Sequence, residues 1–87
     1  MPDTLFTRII KREIPADIIH EDELCLAFHD IHPQAPVHFL VIPRKPIPTI
    51  NDITDDDRLL VGHLFRVAAM IARNQGFADD GYRAVMN

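Results

Sequence analysis

An α+β fold is predicted by two features of this chain: apolar runs at residues 18–20, 24–29 and 37–42 with strand-like lengths, and one long apolar stripe at helical spacing between Asp55 and Gln75. Acidic or proline-rich turns separate the runs. The stripe is bounded by a capping signal at its start and a glycine at its end. At 87 residues the chain is expected to form one domain over residues 1–87. A domain of this size buries only about 60–65% of the surface its unfolded chain exposes, so its stability margin is thin.

In chain order, Thr4 to Lys11 reads as a short helix: Asp3 or Thr4 can cap it, and Phe6, Ile9 and Ile10 fall on one side. Pro15 disfavours helical geometry at Ile14 and turns the chain. Ile18-Ile19-His20 is a strand, Glu21-Asp22-Glu23 a hairpin turn, and Leu24 to His29 the next strand. Leu24, Leu26 and Phe28 give that strand one large apolar face to be covered by a helix or second layer. Cys25, Ala27 and His29 give it a smaller, mixed face. Pro33 and Pro36 keep Asp30 to Pro36 irregular, and a strand follows from Val37 to Ile42, stopping at Pro43. After a loop holding Pro46 and Pro48, Thr54 and Asp57 fit a capping box. Asp55, Asp56 and Asp57 then read as helix starters at the favourable end of the dipole, ahead of metal ligands. Leu60, Leu64, Val67, Ala68, Ile71 and Ala72 form the helix stripe, with Arg58, Arg66 and Arg73 on a wetter side and Gly76 as C-cap. Tyr82 to Met86 reads as a last strand after an Asp79-Asp80-Gly81 turn.

The formal net charge is −4. Nucleic acid and anionic membrane surfaces call for clustered Lys and Arg, so neither is an expected partner, although Arg44-Lys45 can meet a single phosphate. Cys25 stands alone in an apolar run; it reads as a small buried hydrophobe in a reducing compartment. No leader pattern or membrane-length apolar run is present, which predicts a soluble, cytoplasmic protein.

Asp30 stands where a strand enters a turn. A carboxylate there can accept two hydrogen bonds from the vicinal hydroxyls of a ribose, or it can form an Asx-turn with the following amides. Phe28, Ile14 and Ile31 can sandwich a purine, or they can be ordinary core. The five histidines show no compact zinc spacing, so no metal and no cofactor is expected; His38 reads as a structural group or a catalytic one. Serine is absent, which excludes a Ser-His-Asp triad, and the three glycines form no phosphate loop.

The block from Cys25 to Pro43, above all Gln34-Ala35-Pro36-Val37-His38-Phe39-Leu40-Val41-Ile42-Pro43, resembles the histidine triad (HIT) family of nucleotide hydrolases, in its purine nucleoside phosphoramidase branch. Thr4-Leu5-Phe6, Glu13-Ile14-Pro15-Ala16 and Gly81-Tyr82-Arg83 to Asn87 extend the likeness over essentially the whole chain. The resemblance implies a HIT-like α+β fold: an antiparallel sheet, one short N-terminal helix and one long central helix. It implies that Asp30 holds ribose hydroxyls, that Ile14, Phe28, Ile31 and Leu40 line a purine pocket, and that Asn87 orients the phosphate end. It also implies that His38 supports the catalytic histidines. It further implies hydrolysis of purine nucleoside 5'-phosphoramidates through a nucleotidyl-histidine intermediate, and a homodimer. The family's strand of alternating histidines, which carries the nucleophile, has no counterpart in these residues. The expectation is therefore a chain shortened before that strand and inactive alone, with a non-catalytic binding or dimerisation module as the alternative.

Overall fold

The computed structural model describes residues 5–86. The elements in order are α1 (Leu5–Ile10), β1 (Ile18–Glu21), β2 (Cys25–His29), β3 (Phe39–Pro43) and α2 (Arg58–Asn74), with short 3-10 turns at Ile50–Asp52, Asp55–Asp57 and Ala78–Asp80. The chain divides into two compact units, Met1–Pro46 and Ile47–Asn87.

In the first unit α1 ends where Arg12 adopts a left-handed conformation, φ 64°. The Arg12 N–H donates to the Ile9 carbonyl and the Glu13 N–H to the Arg8 carbonyl, so the last helical carbonyls are satisfied without a glycine. Asp3 and Thr4, expected to cap this helix, lie outside the described residues, as does the Phe6 side chain. The three strands form one antiparallel sheet in the order β1-β2-β3. Asp22 shapes the first hairpin: its Oδ1 accepts the N–H groups of Leu24 at 2.7 Å and Cys25 at 2.9 Å.

The β2–β3 register runs without interruption from Cys25 opposite Pro43 to His29 opposite Phe39. Pro43 is tolerated because it sits at a strand end. The third strand therefore starts at Phe39; Val37 belongs to the turn. Leu26, Phe28, Ile42 and Ile9 make the core of this unit, with Ile10, Ile14, Ala16, Ile18 and Leu40 packed around them. Helix α1 is thus the cover that the large apolar face of β2 requires. Cys25 and Ala27, on the other face, are also fully buried, whereas Leu24 is part exposed. The strand is covered on both sides and does not separate an apolar from a wetter face over Cys25–Phe28.

Between Ile18 and His20 the β1–β2 register shifts by a bulge: Ile18 lies opposite Phe28 but His20 lies opposite Ala27. Residues two apart on a strand share a face, so the extra residue, Ile19, sends Ile18 toward the core face and turns His20 to the face of Ala27 and Cys25. Glu21, opposite Leu26, accepts from both Arg12 and Arg44. Hydrogen bonding from Arg44, reinforced by Arg12 against a smaller desolvation effect, holds its carboxyl below the usual glutamate range.

In the second unit the Thr54 N–H and hydroxyl both donate to Asp57 Oδ2, at 2.9 and 3.2 Å, and the Asp57 N–H returns a bond to the Thr54 carbonyl. The expected capping box is present, and it precedes α2 by way of a 3-10 turn. Leu60, Val67, Ile71 and Ala72 form the buried stripe of α2. Gly76, φ 87°, closes the helix: its N–H reaches the Arg73 carbonyl and the Phe77 N–H the Ala72 carbonyl. The strand expected over Tyr82 to Met86 is absent. Those residues carry no ladder, because a strand needs a neighbour to pair its backbone and no described strand lies beside them. Tyr82 instead meets Phe77 edge to face, with ring centroids 5.8 Å apart.

Asp57 is a buried carboxylate of the second unit, 2% exposed. Asp57→Ala should lower unfolding free energy by about 1 kcal/mol, because it removes the acceptor that closes the capping box with Thr54. The equivalent change Asp52→Ala, in the solvent-exposed Thr49 box, should cost less. Urea denaturation of the two variants measures the difference.

Candidate functional site

Asp30 and His38 face each other where β2 and β3 run out into the proline turn. The Asp30 N–H donates to the His38 carbonyl at 3.1 Å, so the antiparallel pairing continues one step beyond the strands. Side chains alternate along a strand, and Phe28 pairs with Leu40. Phe28 and Asp30 therefore leave one strand on the same face as Leu40 and His38 leave the other.

The Asp30 carboxylate is fixed at two points. Oδ1 accepts the His32 N–H at 2.9 Å, which is the Asx-turn, and Oδ2 lies 3.4 Å from His38 Nε2. His38 in turn accepts the Gln34 N–H on Nδ1 at 2.9 Å. Because Nδ1 is an acceptor there, the neutral ring carries its proton on Nε2, the nitrogen 3.4 Å from Asp30. An ionised carboxylate offers about four lone-pair sites, so these two contacts leave acceptor capacity on Asp30. Both side chains are partly buried.

Of the apolar residues expected around a purine, Phe28 is 4% exposed inside the core, and Ile14 and Leu40 pack against that core. Ile31 is 76% exposed on the turn, apart from them. Asn87 lies outside the described residues. His29 stands 3.9 Å from the exposed Asp17 carboxylate on the opposite side of the strand from Asp30.

A second polar cluster went unnoticed in the sequence. His20 Nε2 lies 2.8 Å from Asp22 Oδ2, and the Cys25 thiol donates to the same oxygen at 3.6 Å. Burial, with the Asp22 carboxylate adding to it, pushes the Cys25 thiol up to about 11. The available signal was His-x-Asp-x-x-Cys straddling a predicted hairpin turn. Reading Cys25 only as a hydrophobe hid it, as did judging histidines only against each other.

A family model described as "Scavenger mRNA decapping enzyme C-term binding" matches residues 3–87. The purine nucleoside phosphoramidase of Escherichia coli (strain K12) is 51% identical over 85 residues, an overlap covering 98% of this chain and 71% of that protein. A HIT family hydrolase from Legionella pneumophila Philadelphia 1 superposes with a TM-score of 0.92 at 47% identity, covering 95% of this chain and 74% of that one. A HIT family hydrolase from Clostridium thermocellum superposes with a TM-score of 0.95 at 37% identity, covering all of this chain and 76% of that one. The chain belongs to the histidine triad family. Its α+β architecture, with a short first helix, an antiparallel sheet and one long helix, is that of a HIT-like fold. Among these 87 residues no three histidines occur at alternating positions. No helix among the described residues is long and apolar enough to cross a membrane.

The hydrogen bonding of His38 has a direct spectroscopic consequence. Long-range nitrogen–proton correlation spectra at neutral pH should show its Nε2–H tautomer, with Nδ1 unprotonated. Asp30→Ala should perturb the His38 ring signals and leave those of His63 in place. A His38 ring protonated on Nδ1 alone would contradict this arrangement.

Proposed function

We propose that this chain supplies the nucleotide-holding part of a purine nucleoside phosphoramidase site. The observation that carries the reading is the placement of Asp30 and His38 on the same face as Phe28 and Leu40, in a chain half identical to the E. coli phosphoramidase. Asp30 is assigned to the ribose hydroxyls: one oxygen is steadied by the turn, and the remaining lone pairs accept from the sugar. Phe28, Ile14 and Leu40 back the purine, with the exposed Ile31 closing on it from the turn. Asn87 attends the phosphate.

In the reaction, an imidazole nitrogen of a histidine outside these residues attacks phosphorus while the P–N bond breaks, and the amine leaves with a proton. Water then cleaves the nucleotidyl-histidine to release the nucleoside monophosphate. His38 acts as a support for that histidine and not as the nucleophile. The route needs neither a metal nor another cofactor. The substrate is a free nucleotide derivative and not a nucleic acid, in keeping with the acidic charge. The buried free thiol suits a reducing, cytoplasmic setting. We further assign residues 1–87 to one HIT-like domain.

The 87-residue chain should give no multiple-turnover release of AMP from adenosine 5'-phosphoramidate. A chimera carrying the C-terminal segment of the E. coli relative should restore release. In that chimera Asp30→Ala should weaken binding of the ribonucleotide by about 1–3 kcal/mol, the range for lost hydrogen bonds to a charged group, and should affect the 2'-deoxy counterpart less. Equal losses on both ligands would assign Asp30 to the turn alone. Turnover by the 87 residues, abolished by His38→Ala, would make His38 the nucleophile.

A second reading, a non-catalytic pairing module, draws on the apolar residues Leu59, Phe65 and Met70 exposed on α2. The homodimer expected from the family resemblance would cover exposed apolar residues of this kind. Sedimentation at micromolar concentration separates the two: a folded monomer excludes obligate pairing.

A further inference from the structure

We propose that His20, Asp22 and Cys25 form a binding site for a divalent transition metal of the zinc class at the β1–β2 turn. The three side chains each offer one donor atom, Nε2, a carboxylate oxygen and Sγ, and these atoms all lie within 4.8 Å of one another. Tetrahedral zinc with bonds of 2.0–2.3 Å sets its donors roughly 3.3–3.7 Å apart. Sγ to Asp22 Oδ2, at 3.6 Å, already matches that spacing. The His20 Nε2 to Oδ2 distance, 2.8 Å, is contracted around a shared proton and needs to open by roughly half an ångström when a cation replaces it.

The backbone prepares this set in two ways. Without the bulge at Ile19, His20 would share the face of Ile18 and point away from Cys25; the extra residue brings it over. Asp22 Oδ1 is fixed by the Leu24 and Cys25 amides, which leaves Oδ2 as the oxygen aimed at both other donors. Cys25 is fully buried, while the His20 and Asp22 side chains are each about a quarter exposed. A metal therefore enters from their side and meets the sulfur beneath, and a water can complete four-coordination.

Charge and proton balance agree. The incoming ion carries two positive charges; the Asp22 carboxylate supplies one negative charge. Sγ supplies the second by giving its proton to solvent, so the loaded site is neutral. His20 binds as neutral imidazole through Nε2, with its proton moved to Nδ1. A thiolate, an imidazole and a carboxylate together favour zinc and its analogues over magnesium or calcium, which take oxygen donors. The nearest groups of unlike role are Glu21, which faces Arg12 and Arg44, and Arg44, whose Nε donates to the Asp22 carbonyl. The Arg44 charge also favours the thiolate form of Cys25.

Titration of the metal-free 87-residue chain with cobalt(II), and then zinc(II), tests the site. One equivalent of cobalt should produce a thiolate-to-metal charge-transfer band in the near ultraviolet, about one proton should be released per metal, and zinc should displace the band. Cys25→Ala should abolish the band. His20→Phe, which leaves the sulfur in place, should weaken binding about tenfold or more. His32→Gln, on the exposed turn, should bind as the unaltered chain does. If Cys25→Ala fails to fold by circular dichroism, the His20→Phe comparison decides. A folded chain that shows no band with cobalt, or a band of equal affinity in His20→Phe, would overturn the proposal.

Discussion

The antiparallel register between β2 and β3 governs the placement of most of this molecule's chemistry. It runs unbroken from Cys25 opposite Pro43 to His29 opposite Phe39, and one further backbone bond ties Asp30 to His38. A slip of one residue would exchange the two faces of a strand. Phe28 and Leu40 would leave the core they share with Ile9, Leu26 and Ile42, and Asp30 and His38 would part. Burial of Cys25 to Phe28 on both faces makes such a slip costly, so the core fixes the geometry of the polar turn that follows it.

Register on the other side of β2 is handled differently. There the bulge at Ile19 breaks strict alternation, and the break lets β1 give Ile18 to the core side and His20 to the side of Cys25. A regular strand could not have served both. Glu21 then falls opposite Leu26, within reach of Arg12 from the end of α1 and Arg44 from the end of β3. Exposed ion pairs contribute little individually. Their value here is positional, since one carboxylate joins three segments at the same end of the sheet.

Much of this was legible in the sequence because local chemistry determined it. The hairpin at Asp22, the turn enforced by Pro33 and Pro36, the Thr54–Asp57 box and Gly76 beyond α2 are each consequences of residues within a few positions of one another, and each is present. The Asx-turn at Asp30 was one of the two readings its position allowed, whereas its approach to His38 became visible only once the strands were paired. What escaped depended on partners distant in the chain. Tyr82 to Met86 has the composition of a strand, yet composition supplies no neighbour. Cys25 is buried as its apolar run implied, but the face it shares with Ala27 is wholly buried there where a mixed one was expected, and the meeting of His20 with Cys25 came from a bulge that no residue pattern announces.

The two polar clusters at opposite ends of β2 are variations on one device. In each, an aspartate beside a strand end gives one oxygen to backbone amides of its turn and presents the other to a histidine Nε2: Asp22 to His20, Asp30 to His38. Anchoring one oxygen removes most of the rotational freedom of the carboxylate, so the second oxygen is aimed before any ligand arrives. What differs is the third neighbour. Beside Asp22 it is a thiol sealed beneath the sheet surface, a soft donor that suits a metal ion and no sugar. On the strand face of Asp30 the next residues are Phe28 and its cross-strand partner Leu40, which belong to the apolar core. The same arrangement of carboxylate, turn and imidazole thus meets a different third neighbour at each end of β2.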